Sequence, residues 1–151
     1  MPSRRFLTLQ DLSLHGKRVL VRVDFNVPMH DGQVVDDTRI RASLPTIRAL
    51  LEAPATVILM SHLGRPKEGS ADPALSLEPI ARHLRGLLGM PVTFFREWSR
   101  QSPFRPGEVA MLENVRFLKG EKANDDDLAR QYARLCEVFV NDAFEIGRAH
   151  V

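Results

Sequence analysis

The chain has 151 residues, 44% of them hydrophobic and 26% charged, values that fit one ordinary soluble domain. A net charge of +2, with no dense Lys/Arg patch interleaved with aromatics, excludes a nucleic-acid binder, and no apolar run nears the roughly 18 residues that suggest a membrane span. The single cysteine, Cys136, excludes an internal disulfide and agrees with a cytoplasmic setting.

Ser3-Arg4-Arg5-Phe6-Leu7 opens like a twin-arginine export signal. Thr8, Gln10, Asp11, Ser13 and His15 interrupt the apolar stretch that such a signal needs, so the expectation stays cytoplasmic. Five short apolar runs follow: Val19-Leu20-Val21, Thr56 to Met60, Val92 to Phe95, Val109 to Leu112 and Val138-Phe139-Val140. Most are rich in β-branched residues, and near-continuous apolar runs suit strands buried on both faces of a parallel sheet.

Helical patterns lie between most of these runs. Ile40, Leu44, Ile47 and Leu51 keep a 3.6 period, with Pro45 either in a first turn or at a kink. Ser76 is read as an N-cap for a helix whose inner face carries Leu77, Ile80, Ala81, Leu84, Leu87 and Leu88, closed by Gly86 and Gly89. Residues 98–106 hold two prolines and read as a loop. Asn124 or Asp125 caps a third helix with Leu128, Tyr132 and Leu135 inward, and Cys136 packs beside them as a small hydrophobe. Strands alternating with helices predict an α/β doubly wound fold with a parallel sheet, whose ligands sit outside the carboxyl ends of the strands.

The residues after each strand therefore matter most. Arg22-Val23-Asp24-Phe25-Asn26-Val27-Pro28 follows the first run, and Asp24 and Asn26, two apart, share one side of an extended chain. Ser61-His62-Leu63-Gly64-Arg65-Pro66-Lys67 follows the second, where Gly64 permits a tight turn. Glu113-Asn114-Val115-Arg116-Phe117 and Asn141-Asp142-Ala143-Phe144 follow the fourth and fifth, and Asp36-Asp37-Thr38 leads into Arg39 and Arg41. Guanidinium forks grip phosphate and carboxylate in bidentate geometry, so the set suits a small phosphorylated carboxylate. Asp24 would accept from a hydroxyl or hold an arginine.

Taken singly, each of these residues also reads as a turn, a cap or a solvated surface. Arg41, Arg48, Arg82 and Arg85 are expected on exposed helix faces, and His15, His30 and His83 on the surface without metal-ligand spacing. The glycines form neither a Walker A motif nor a G-x-G-x-x-G fingerprint.

Taken jointly, five blocks resemble the phosphoglycerate kinase family. They are Arg18 to Pro28, Asp36 to Ile40, Ser61 to Pro66, Leu112 to Phe117 and Asn141 to Phe144, in order and at suitable spacing, within a resemblance that runs from about Leu12 to Phe144. The resemblance implies phosphoryl transfer between 1,3-bisphosphoglycerate and ADP, giving 3-phosphoglycerate and ATP in glycolysis, by a two-domain cytoplasmic enzyme, monomeric at full length. Its N-terminal domain binds the phosphoglycerate; its C-terminal domain binds the nucleotide with Mg2+ and is absent from this sequence, so the chain should be inactive alone. Asp24, Phe25, Asn26, Arg39, His62, Leu63, Gly64, Arg65 and Arg116 are then the substrate-binding residues. His62, Arg65 and Arg116 hold the non-transferred phosphate, Asp24 and Asn26 order the hydroxyl and carboxylate end, and Arg39 is catalytic, offsetting charge on the transferring group.

The resemblance stops after Phe144. Glu145 to Val151 fits no family block and is what one frame of a sequencing-adapter oligonucleotide would encode. The expected organisation is an incomplete phosphoglycerate-binding domain over residues 1–144 and a non-native tail over 145–151 that adds no packed element. The rival expectation is a short stand-alone module that binds small phosphorylated carboxylates without catalysis.

Overall fold

A computed structural model of the chain describes residues 7–8, 14–64, 73–99, 101–115, 126–142 and 148–150. The chain runs through β1 (Leu7–Thr8), β2 (Arg18–Arg22), β3 (Met29–His30), β4 (Gln33–Val34), α1 (Thr38–Ala42), α2 (Leu44–Glu52) and β5 (Thr56–Met60). A 3-10 turn over Pro73–Leu75 leads into α3 (Glu78–Leu88), β6 (Val92–Phe95), β7 (Val109–Leu112), α4 (Asp126–Ala133), β8 (Val138–Asn141) and β9 (Arg148–His150).

The five predicted runs are five adjacent parallel strands, in the order β8-β2-β5-β7-β6. Side chains alternate between two cores. Val19, Val21, Val57, Leu59, Val109 and Met111 pack with Ile47, Leu50, Ile80 and Leu84 from α2 and α3. Leu20, Ile58, Met60, Ala110 and Leu112 pack on the other face with Phe104 and Leu135. Both faces are covered, so neither register of the strand tolerates polar residues, and the runs are continuous rather than alternating. Each fully buried aliphatic side chain contributes about 1.5–3 kcal/mol relative to exposure.

Pro45 sits in the first turn of α2, where its missing N–H costs nothing. Ser43 marks the break from α1; its N–H and its Oγ–H both donate to the Ile40 carbonyl, at 3.1 and 2.6 Å. Ser76 is not the N-cap of α3, a position that Leu77 takes. The Ser76 Oγ still accepts the Glu78 N–H at 3.2 Å. Gly89 ends α3 at φ 70° with its N–H on the Arg85 carbonyl, whereas Gly86 lies inside the last turn rather than closing it.

Leu135 is buried, and Cys136 packs half-buried in the same cluster, where burial raises its thiol pKa. Tyr132 stacks on Trp98 with ring centroids 5.3 Å apart. Asn124 and Asp125 lie outside the described residues. The 98–106 stretch is a loop where described, pinned by Phe104, whose ring meets Phe95 edge-on at 5.0 Å.

The expectation that nothing after Phe144 adds a packed element needs correction. β9 pairs antiparallel with β8 (Phe139↔His150, Val140↔Ala149) and with β1 (Leu7↔Ala149, Thr8↔Arg148). Beyond β8 the ladder offers unpaired backbone groups, and an extended segment can satisfy them without burying a large side chain. Among the described residues no helix is long and apolar enough to cross a membrane.

Candidate functional site

Past β2 the chain stays extended, and burial alternates. Val23, Phe25 and Val27 point into the core, while Asp24 and Asn26 are half-buried on the other side. The extension is held from neighbouring loops. The Val23 N–H donates to the Met60 carbonyl at 3.0 Å, and the Phe25 N–H donates to the Ser61 Oγ at 2.9 Å. The Asn26 N–H folds back onto the Asp24 Oδ1 at 3.2 Å.

Asn26 is where two further elements meet. Arg39, in the first turn of α1, donates from Nη1 to the Asn26 carbonyl at 2.7 Å and reaches the Asp24 Oδ1 at 3.4 Å. The Gly64 N–H donates to the Asn26 Oδ1 at 3.0 Å. Asp24, Asn26, Arg39 and Gly64 are thus brought together at the carboxyl edge of the neighbouring strands β2 and β5. The Arg39 side chain stays 56% exposed, so its ion pair with Asp24 adds little stability and the guanidinium stays accessible to an anion. His62, half-buried, lies in the same Ser61–Gly64 loop.

Phe25 and Leu63 were expected among the substrate-binding residues, yet both side chains lie in the core, 0% and 3% exposed. Any contact they offer a ligand is through backbone. Arg65 and Arg116 lie outside the described residues.

Three residues that the sequence reading named only within strand-end blocks, with no role of their own, support the site. Ser61 receives the Phe25 N–H. Asn114, 1% exposed, donates from Nδ2 to the carbonyls of Leu63 and Leu75 at 2.8 and 2.9 Å. Glu113 accepts the Leu77 N–H and the Ser76 hydroxyl at 2.8 and 2.7 Å, which fixes the residues leading into α3 from a distant loop. Their one signal in the sequence is position, directly after an apolar run.

Gly64 has φ 64°, and a Cβ there would stand 2.8 Å from the Leu75 Cδ2. Gly64→Ala is expected to cost about 1–2 kcal/mol from the left-handed backbone alone. Thermal unfolding should therefore fall by several degrees, and an unchanged Tm would contradict this placement.

His83 is not a plain surface residue. Its Nε2 lies 2.9 Å from the Asp37 Oδ2, joining α3 to the start of α1, and the Arg41 Nε donates to the Asp37 Oδ1 at 2.9 Å. These bonds, His83 first, hold the Asp37 carboxyl below its ordinary value of 3.8. A lowered carboxylate pKa gives stability that is present above the ordinary value and fades as pH falls through the folded-state value. Asp37→Asn should therefore lower Tm at neutral pH, and the gap should close on acidification below 3.8; a gap that holds constant across that range would argue against the pairing.

The second face of the sheet carries an open depression of about 570 Å³ lined by Trp98, Ser99, Gln131, Arg134 and Leu135. It lies between the loop after β6 and the end of α4, and among the described residues that line it Arg134 is the one cation, a poor match for an anionic substrate.

Comparison with known proteins decides the family. The phosphoglycerate kinase family model matches residues 9–151. The chain belongs to the phosphoglycerate kinase family. It is 50% identical over 144 residues to the phosphoglycerate kinase of Legionella pneumophila (strain Lens) and 53% identical over 144 residues to that of Nitratidesulfovibrio vulgaris. Each alignment covers 95% of this chain but 36% of the relative. Among solved structures, the Coxiella burnetii phosphoglycerate kinase superposes with a TM-score of 0.88 at 43% identity, over 95% of this chain and 38% of that one. The Pyrococcus horikoshii phosphoglycerate kinase gives 0.78 at 34% identity, over 91% and 36%. The chain therefore spans a little over a third of the length of the phosphoglycerate kinases it matches, and its parallel five-stranded sheet is theirs.

Proposed function

We propose that this chain is the phosphoglycerate-binding part of a cytoplasmic phosphoglycerate kinase, acting on 3-phosphoglycerate or 1,3-bisphosphoglycerate, with the partner nucleotide held elsewhere. The observation that carries the reading is the meeting of Arg39 and the Gly64 N–H on Asn26, beside Asp24, at the carboxyl edge of β2 and β5. Asn26 and Asp24 would order the hydroxyl and carboxylate end of the substrate, and Arg39 would face the transferring phosphoryl group. His62, Arg65 and Arg116 would grip the other phosphate, a role that rests on the family resemblance.

The nucleotide, ATP or ADP, and its Mg2+ are assigned to a part of the enzyme beyond this sequence. Among the described residues no group of three His, Cys, Asp or Glu side chains is placed to hold a metal ion, and the chain carries no Gly-rich phosphate loop. When bound, the metal would neutralise phosphate charge; every role given to this chain is positioning or electrostatic.

A coupled assay tests the proposal. The complete enzyme, monomeric on this reading, should consume ATP only when 3-phosphoglycerate and Mg2+ are present, while the 151-residue chain alone should not turn over. Turnover by the chain alone, or none by the complete enzyme, would overturn it.

A further inference from the structure

We propose that Asn114 is a positioning residue for the phosphoglycerate site, acting through the Leu63–Gly64 peptide on Asn26; the inference rests on the function proposed above. A trans peptide unit is planar, with its C=O and N–H on opposite sides. The Leu63 carbonyl accepts from the Asn114 Nδ2 at 2.8 Å, and the Gly64 N–H of the same unit donates to the Asn26 Oδ1 at 3.0 Å. One rigid plate thus lies between the two asparagines, so whatever fixes its oxygen also aims its N–H.

The hold on that plate is firm. Asn114 is 1% exposed, and its second Nδ2 bond, to the Leu75 carbonyl at 2.9 Å, sets the rotation of its amide. The next N–H, that of Val115, donates to the Ser61 carbonyl at 3.0 Å. The loop that carries His62 is therefore tied at Ser61 and at Leu63 from one dipeptide after β7. With its Oδ1 committed to Gly64, the Asn26 amide presents its Nδ2 hydrogens, donors suited to a substrate carboxylate or hydroxyl oxygen. Without Asn114 the plate can tilt, and the Asn26 amide loses the contact that sets which end faces the ligand.

The test is steady-state kinetics of the complete enzyme. Asn114→Ala should raise KM for 3-phosphoglycerate about tenfold, the scale of one lost well-placed hydrogen bond, with KM for MgATP unchanged. Asn114 and Asn26 should also couple: the Asn114→Ala/Asn26→Ala double variant should bind no worse than Asn26→Ala alone. A purely structural Asn114 would lower Tm and leave KM unmoved, or would add its effect to that of Asn26→Ala; either result overturns the proposal. Should Asn114→Ala fail to fold, Asn114→Ser keeps one donor and a smaller void and is expected to shift the same KM. Amide exchange in the wild type gives an independent arm: the Gly64 N–H should exchange slowly, and exchange at open-loop rates would refute the relay. Absence of 3-phosphoglycerate-dependent turnover in the wild type would sink the functional reading itself, and the inference with it.

Discussion

Arg39→Ala in the complete enzyme is expected to lower kcat by about 10²–10³, the scale of losing one preorganised charge stabiliser, with little change in KM for 3-phosphoglycerate. In a loose phosphoryl-transfer transition state charge spreads over the equatorial oxygens of the moving group, so a cation placed there acts mainly on the transition state. Arg39 has suitable holders. Its Nη1 rests on the Asn26 carbonyl at 2.7 Å and near the Asp24 carboxylate at 3.4 Å, leaving other guanidinium hydrogens directed elsewhere. The ion pair is partly solvated, so fold stability should be nearly unaffected. Equal Tm values would show that a fall in kcat is not a folding defect. A large rise in KM at constant kcat would instead make Arg39 a ground-state binding residue and overturn its assigned role.

Phe25→Ala is expected to destabilise the domain by about 3–5 kcal/mol, the range for truncating a buried aromatic. Phe25 is 0% exposed and among the largest fully buried side chains. It also stands between Asp24 and Asn26, so its ring anchors the extended segment that presents both. The void would sit directly beneath the candidate site, and weaker phosphoglycerate binding should accompany the loss. Denaturant unfolding measures the first effect. A loss below about 1 kcal/mol would mean that the ring is not packed as described, since even surface changes approach half that size.

The parallel sheet was legible because it is buried on both faces. Val57-Ile58-Leu59 cannot be read as a half-solvated strand, and the strand is covered above and below. The inner face of α3 was legible for a similar reason, since Ile80, Ala81 and Leu84 recur at helical spacing. Its start was misread by one residue: Ser76 does accept the Glu78 N–H, but Leu77 takes the N-cap position, with its own N–H held by Glu113, 36 residues away in sequence. Local sequence carries no trace of such a contact. The hairpin β3–β4 went unread although Asp31-Gly32 is a favoured turn pair and both residues have positive φ; its strands are too short to show alternation. β9 went unread because backbone pairing at a sheet edge needs no particular side chains.

At the site, Asp24 and Asn26 were legible from their two-residue spacing after an apolar run, and Arg39, in α1, from the family block Asp36 to Ile40. Asn114 and Ser61 were not, for a polar residue beside an apolar run looks like any turn residue until its partners are known. His83 was read as surface because its partner, Asp37, is 46 residues away.

On the function proposed above, phosphoglycerate binds at the carboxyl edge of β2 and β5. The most direct measurement is an NMR titration of the isotope-labelled complete enzyme with 3-phosphoglycerate. Saturable shifts are expected on the amides of Asp24, Asn26, Arg39, His62 and Gly64, with the groove of Trp98, Gln131 and Arg134 on the second face of the sheet unmoved. Shifts centred on that groove, or a strand-end rim that stays silent at saturation, would contradict it.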